Sequence, residues 1–216
     1  MEIKLYSYWR SSSAYRVRIA LSLKKIPYDY ISVHLLRDGG EQLKPEYLKL
    51  NPKGEVPVLV SPELSVSQSM AILHYLEDSF PYPSLLSKDP IRKAKTLELC
   101  EIINSGIQPL QNLSLLQKLE RDFSWNAEAK PRWIREVIEK GFRALEPLLQ
   151  KSAQDFCMGP DPSFADCFLI PQVYNAYRFK LSMQEFPTIS KIYEHCLSLE
   201  AFQAASPEKQ PDAESA

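Results

Sequence analysis

Three short stretches of this chain set hydroxyl, amide and guanidinium groups where an anion can be held. Ser11-Ser12-Ser13 follows a strand-like run and opens a helix-like one. In a β-α-β unit that junction lies at the carboxyl edge of the sheet, where ligands bind. A hydroxyl there donates to an anion with the positive end of the helix behind it. Capping of the helix explains the same serines without any ligand. Gln68-Ser69 repeats the arrangement at a second strand-to-helix junction, where N–H groups, a hydroxyl and the helix dipole make a carboxylate site. An ordinary N-cap accounts for Ser69 taken alone. Val56-Pro57 stands just before a strand. A cis bond there would turn the Val56 N–H and C=O outward toward a peptide-like ligand, whereas a trans loop proline would not. Arg10, Arg16 and Arg18 add guanidinium groups near the first junction, although most surface arginines are merely solvated. No G-x-S-x-G frames the serines, so they do not read as Ser-His-Asp nucleophiles. Ser163-x-x-Asp166 is a capping box before an apolar run and reads as structural.

The elements that must carry these groups follow from periodicity. Ile3 and Leu5 alternate with Lys4 and Tyr6, which predicts a strand over 2–8. Val17, Ala20, Leu21 and Lys24 recur at helical spacing and predict a helix over 13–25. The β-branched and aromatic run YDYISV predicts a strand over 28–33. RDGGEQ at 37–42 and a short polar stretch read as loop. Two short strands, 56–60 and 64–67, flank a turn at Ser61-Pro62-Glu63, and Ile72, Leu73 and Leu76 line one stripe of a helix over 68–78. The first 80 residues are therefore β-α-β-β-β-α. A proline-rich segment at 79–90 reads as a linker. Beyond it only helical patterns occur: 93–119 with a bend or break at Pro109, a run from Ile134 to Leu148, 163–178 with Pro171 inside, and 189–199. The polar, proline-containing stretch from Ser206 predicts disorder. The expected organisation is an α/β domain at 1–80, a linker at 81–90, an all-helical domain at 91–205 and a flexible tail at 206–216.

Composition narrows the function classes. The 216 residues carry 26 Lys+Arg against 27 Asp+Glu, a net charge of −1, which offers no chain-wide attraction to nucleic acid or anionic membrane. No apolar run approaches the roughly 18 residues of a membrane span, and the start MEIKLYSYWR has no secretory core, so a cytoplasmic protein is expected. Cys100, Cys157, Cys167 and Cys196 form no CxxC pair and no zinc-type spacing with the three histidines. They read as small buried apolar side chains, and no metal site is expected. The first 99 residues hold no thiol.

Together the motifs resemble the zeta class of the glutathione transferases, the maleylacetoacetate isomerase family. The matching text is LYSYWRSSSAYRVRIAL at 5–21, LLRDGGEQ at 35–42, NPKGEVPVLV at 51–60, QSMAILHYLE at 68–77, GIQPLQNLSLL at 106–116, FADCFLIPQVYNAYRF at 164–179 and PTISKIYEHCLSLEAF at 187–202. The likeness runs from about residue 3 to 211, including QPD near the end, and is weakest at about 117–140. The resemblance implies a thioredoxin-like N-terminal domain, a helical C-terminal domain, a homodimer, and glutathione as the working thiol. A thioredoxin-like redox enzyme needs its own low-pKa cysteine at the strand–helix junction. Serines stand there instead, so the ligand must bring the thiol.

By position, the resemblance implies that Ser11 donates to the glutathione sulfur, with Ser12 in support and Ser13 alongside. Val56 would pair with the cysteinyl backbone beside a cis Pro57, Gln68 and Ser69 would hold the γ-glutamyl carboxylate, and Gln42 would reach the glycyl end. Gln108, Asn112 and Ser114 would border the ligand from the helical domain. The class usually reads Ser-Ser-Cys, so at Ser13 any role of that cysteine has no counterpart. The implied reaction is cis–trans isomerisation of maleylacetoacetate to fumarylacetoacetate in tyrosine and phenylalanine catabolism, by thiolate addition, rotation and elimination. Its substrate is a small dicarboxylate, for which Arg10 and Arg178 are the candidate partners because Arg binds carboxylates bidentately. Other readings are a zeta-class transferase acting on maleylpyruvate or α-halo acids, and a non-catalytic glutathione-binding protein.

Overall fold

Alternation along the first strand buries Ile3, Leu5 and Ser7 on one face and leaves Lys4 and Tyr6 half-buried on the other, as the 2–8 pattern predicts. The computed structural model describes residues 2–214; Met1, and Ser215 and Ala216 at the end of the expected tail, lie outside the described residues. β1 (Lys4–Ser7), β2 (Asp29–Ser32), β3 (Val58–Val60) and β4 (Ser65–Ser67) form one mixed sheet in the order β2-β1-β3-β4. β1 and β2 run parallel with Leu5 opposite Tyr30, and α1 (Ser12–Leu23) is their crossover. β3 runs antiparallel to β1 and to β4, with Tyr6 opposite Val58 and Val58 opposite Ser67.

The stretch between β2 and β3, read from sequence as loop, holds two 3₁₀ turns (Arg37–Gly39 and Glu41–Leu43) and α2 (Pro45–Leu50). Six residues are too few to show a helical period, and the available local signal was Pro45 at the first helical position. α3 (Ser69–Ser79) completes this part. α1 is buried from Ala14 through Leu21, Arg16 and Arg18 included. These two arginines are therefore interior groups and not the solvated surface charges that frequency alone suggests. The cause lies far along the chain: α9 (Glu200–Ala205) packs on α1, so the helix has no solvent face.

The remaining helices are α4 (Pro90–Gly106), α5 (Leu113–Phe123), α6 (Ala129–Ser152), α7 (Phe164–Arg178) and α8 (Pro187–Leu197). The predicted helix over 93–119 is broken at Pro109, where a 3₁₀ turn (Gln108–Gln111) separates α4 from α5. Two compact units result: Met1–Leu85 with Ser198–Ala216, and Leu86–Leu197. All four cysteines fall in the second unit and are buried, as the sequence predicts. Burial pushes the Cys157 thiol well above its ordinary value.

The expected flexible tail requires correction. From Ser206 the chain forms a 3₁₀ turn (Pro207–Lys209) and buries Gln210, whose Nε2 donates to the carbonyls of Ala204 (3.0 Å) and Ser206 (2.8 Å). Ala213 packs against an apolar cluster of Tyr8, Trp9, Val33, Tyr47, Val56 and Val58. A polar segment is ordered here because, besides its own turn, it finds partners in residues of the first unit that are distant in the chain. Among the described residues no helix is long and apolar enough to cross a membrane.

Candidate active site

Ser11 is the N-cap of α1: its Oγ accepts from the Ala14 N–H at 3.2 Å, and its own N–H donates to the Tyr8 carbonyl at 2.9 Å. The capping and ligand readings of this serine are thus compatible. An oxygen that accepts from a helix N–H keeps its hydroxyl proton for donation, and the helix dipole favours an anion as the acceptor. Ser12 and Ser13 form the first turn, half-buried beside it.

The second junction differs. The N-cap of α3 is Gln68, without a side-chain capping bond, and Ser69 is the first helical residue, so the N-cap reading of Ser69 does not hold. Gln68 has φ 74°, a sparsely populated conformation for a non-glycine residue that costs on the order of 1–3 kcal/mol. Such strain is found where the surrounding structure over-determines a backbone, as at ligand clamps. The Ser69 Oγ is buried and accepts from Arg16 Nη1 at 3.1 Å. With its acceptor side engaged by a cation, this hydroxyl too is left as a donor. Arg16 thereby joins the beginnings of α1 and α3.

The Val56–Pro57 bond is cis, and the β3 ladder starts at Val58, which leaves Val56 outside it. Gln42 is buried; its Nε2 donates to the Leu35 carbonyl at 3.3 Å, while Oε1 has no partner among the described residues. The chain approaches it so closely that a Cβ on Gly40, whose φ is 103°, would lie 2.6 Å from Gln42 Nε2. The Arg10 guanidinium lies over the Trp9 ring, 4.0 Å from its centroid, and its buried Nε has no partner among the described residues.

Arg18, grouped with Arg10 and Arg16 in the sequence, has a different task. Its Nε donates to the Ala205 carbonyl (3.0 Å), Nη1 to Ser7 Oγ (3.2 Å) and Nη2 to the Trp9 carbonyl (3.0 Å). It braces backbone and leaves no donor face for a ligand.

In the second unit, Gln108 opens the 3₁₀ turn and is half-buried. Asn112 caps α5 by accepting from the Ser114 N–H at 3.4 Å, and Ser114 is exposed in the first turn. Arg178 ends α7, exposed, with its guanidinium 5.0 Å from the Phe179 ring centroid. The capping box forms as predicted: Asp166 Oδ2 accepts from the Ser163 N–H and Oγ, both at 2.8 Å, and Oδ1 from the Cys157 N–H at 2.8 Å. Two groups next to the serines were missed by sequence reasoning. Arg16 was noted only as one of three charges, and Asp212, which accepts from the Trp9 N–H at 3.2 Å, lay in the stretch expected to be disordered. For Asp212 the signal was its place in the QPD of the family-like text, which says nothing of its partner.

Comparison with known proteins identifies the family to which this fold belongs. The glutathione S-transferase N-terminal domain family matches residues 1–78. Maleylacetoacetate isomerase of Mus musculus is 46% identical over 208 residues, 96% of this chain and 94% of that protein. A solved bacterial maleylpyruvate isomerase, itself a zeta-class glutathione S-transferase, superposes with a TM-score of 0.94 at 37% identity, over 98% of this chain and 100% of the other. Maleylacetoacetate isomerase of Anaeromyxobacter dehalogenans 2CP-1, solved with glutathione in its active site, gives 0.86 at 41% identity over 99% and 98%. With its thioredoxin-like first unit, helical second unit and near-complete alignment to these proteins, the chain belongs to the zeta-class glutathione transferase family, that of the maleylacetoacetate isomerases.

Proposed function

We propose that this protein is a glutathione-dependent cis–trans isomerase that converts maleylacetoacetate to fumarylacetoacetate in tyrosine and phenylalanine catabolism, with accompanying transferase activity. The observation that carries the reading is the Ser11 hydroxyl, fixed by the Ala14 N–H at the positive end of α1 with its proton left to donate. The residues fit glutathione. Ser69 offers a second oriented hydroxyl, and Gln42 Oε1 is a buried acceptor awaiting a donor. When bound, glutathione supplies the thiolate that adds to the substrate double bond, permits rotation and leaves again.

The chain's own groups do the rest. Ser11 holds the thiol proton equilibrium on the side of thiolate by donating to sulfur; a free thiol titrates at about 8.5, so a modest depression makes thiolate abundant near neutrality. Ser12 and the remaining N–H groups of the first turn support the same charge. Gln68 and Ser69 bind the γ-glutamyl carboxylate, the latter backed by Arg16. Val56 aligns the cysteinyl backbone, Gln42 takes the glycyl end, and Gln108, Asn112 and Ser114 border the ligand. Arg178 and Arg10 pair with the two substrate carboxylates and stabilise the negative charge that develops on addition. Homodimer formation is inferred from the family resemblance, and a cytoplasmic setting is the expectation drawn from the sequence.

Maleylpyruvate is the second substrate reading, favoured by the 0.94 superposition on a maleylpyruvate isomerase. The deciding experiment assays both maleyl acids side by side, with and without glutathione, in wild type and Ser11→Ala. Loss of one oxyanion-type donor predicts a drop of about 10²-fold in turnover for Ser11→Ala with the fold intact. Turnover without glutathione, or full activity of Ser11→Ala, overturns the mechanism.

A further inference from the structure

We propose that Asp212 is a positioning residue for the Ser11 hydroxyl, acting through the Trp9 peptide from the carboxyl-terminal segment. The inference rests on the assignment of Ser11 as the group that holds the thiolate.

The peptide groups two residues before Ser11 are held on both sides. The Trp9 N–H donates to Asp212 Oδ2 at 3.2 Å, and the Trp9 carbonyl accepts from Arg18 Nη2 at 3.0 Å. Arg18 is itself anchored on the Ala205 carbonyl at 3.0 Å, so both restraints on Trp9 run through residues beyond 204. The Asp212 carboxylate cannot drift, because Tyr30 Oη donates to Oδ1 at 2.7 Å and Ser32 Oγ to Oδ2 at 3.2 Å, both from β2. Its flanks are held as well. Ala213 packs on the apolar cluster that contains Trp9, and Glu214 Oε1 lies 3.1 Å from both His34 Nε2 and Arg37 Nη2.

Ser11 starts one tight turn after this peptide, with its N–H on the Tyr8 carbonyl. Rotation of the Trp9 peptide therefore swings the Ser11 Oγ relative to the α1 N–H groups. A donor has to lie within hydrogen-bond range of the sulfur to lower its pKa, and displacements of about 1 Å are enough to lose that effect. An ionised carboxylate is well suited to fix a backbone N–H, since charge-assisted bonds are the stronger kind.

The test compares Asp212→Ala, Asp212→Asn, Glu214→Gln and Ser11→Ala. Two readouts are used: hydrogen exchange of the Trp9 and Ser11 amides in the ligand-free protein, and thiolate absorbance of bound glutathione as a function of pH. In Asp212→Ala both amides exchange faster and the bound thiol titrates about one unit higher, a tenfold fall in thiolate at acid pH. Glutathione affinity at high pH stays within about twofold. Asp212→Asn, with a neutral acceptor, falls between Ala and wild type. Glu214→Gln, which loosens the same segment elsewhere, titrates as wild type. Wild-type titration and exchange in Asp212→Ala overturn the proposal, as does a shift in Glu214→Gln as large as that in Asp212→Ala, which would mean generic docking. Should Asp212→Ala not fold, an unshifted Asp212→Asn overturns it. Ser11→Ala separates the two levels of inference. A wild-type thiolate there defeats the Ser11 assignment, whereas its loss there with retention in Asp212→Ala defeats the Asp212 inference alone.

Discussion

Buried charge in the first unit is carried by the cations Arg16, Arg18 and Lys24, and in the second by the carboxylates Glu146 and Asp166. The partners differ in the same sense. Arg18 and Lys24 donate to backbone carbonyls, Lys24 Nζ to those of Phe80 (2.7 Å) and Pro83 (2.8 Å), whereas Glu146 accepts from the N–H groups of Thr188 (2.9 Å) and Ile189 (3.1 Å) at the start of α8. Asp166 does the same at the start of α7. A carboxylate at a helix N-terminus satisfies its dipole and its open N–H groups. At α7 and α8 the positive ends are thus closed by the protein itself. At α1 and α3 they are furnished with neutral hydroxyls that accept from Ala14 N–H and Arg16 and so keep their protons to donate, with buried Arg16 adding positive potential between them. Similar helix starts are closed by a carboxylate in one unit and left with neutral hydroxyl donors in the other, which is the arrangement the proposed anion site requires, and the difference is the charge of the cap.

That contrast can be broken at graded cost. The largest effect on stability is expected for Asp166→Ala, which strands two backbone N–H groups and the Ser163 hydroxyl in the interior and lowers unfolding free energy by about 4 kcal/mol. Denaturant unfolding measures the loss, and the folded fraction should bind glutathione with wild-type affinity. Arg16→Met probes the other side: glutathione affinity by calorimetry should weaken about tenfold, through a misdirected Ser69 hydroxyl. Its effect should be non-additive with that of Ser69→Ala, because both remove one linked interaction. Equal, additive losses would detach Arg16 from the site.

The smallest effect concerns pH. Burial pushes the Glu77 carboxyl up, but the Lys24 ammonium, the Ser84 hydroxyl and the Leu85 N–H together bring it below the ordinary carboxylate value. A pKa depressed in the folded state stabilises above the unfolded value, and that contribution is lost as pH falls through the folded one. Stability measured from neutral to acid pH should thus drop below about pH 4, less steeply in Glu77→Gln, by about 1 kcal/mol or less given partial solvent screening.

How legible the molecule was depended on the range of the interactions involved. Strands such as Lys4–Ser7 and helices such as Ser69–Ser79 were readable because burial on one face imposes a local period. α2 was missed because it is shorter than two turns. The capping box at Ser163 and Asp166 was readable because both partners lie within one helical turn. Ser11 and Gln68-Ser69 were identified as junction residues, yet their patterns were compatible with plain capping. Only the structure shows that Ser69 is the first helical residue and not the cap, with its hydroxyl bonded to Arg16 from 53 positions away.

By itself, therefore, the sequence determined the strands and the longer helices, the capping at Ser11 and Ser163, and the absence of a thiol where a thioredoxin-like unit would carry one. Each depends on residues close together in the chain. Only the tertiary structure decided that Arg16 serves Ser69, that Arg18 braces backbone, and that the segment from Ser206 to Glu214 is a docked strap holding Trp9 through Asp212. A polar segment has no reason of its own to order. The hydrogen-bond partners that compensate its lost entropy belong to β2 and to the loop before α1, about 180 to 200 residues away, and become available only after those elements have folded.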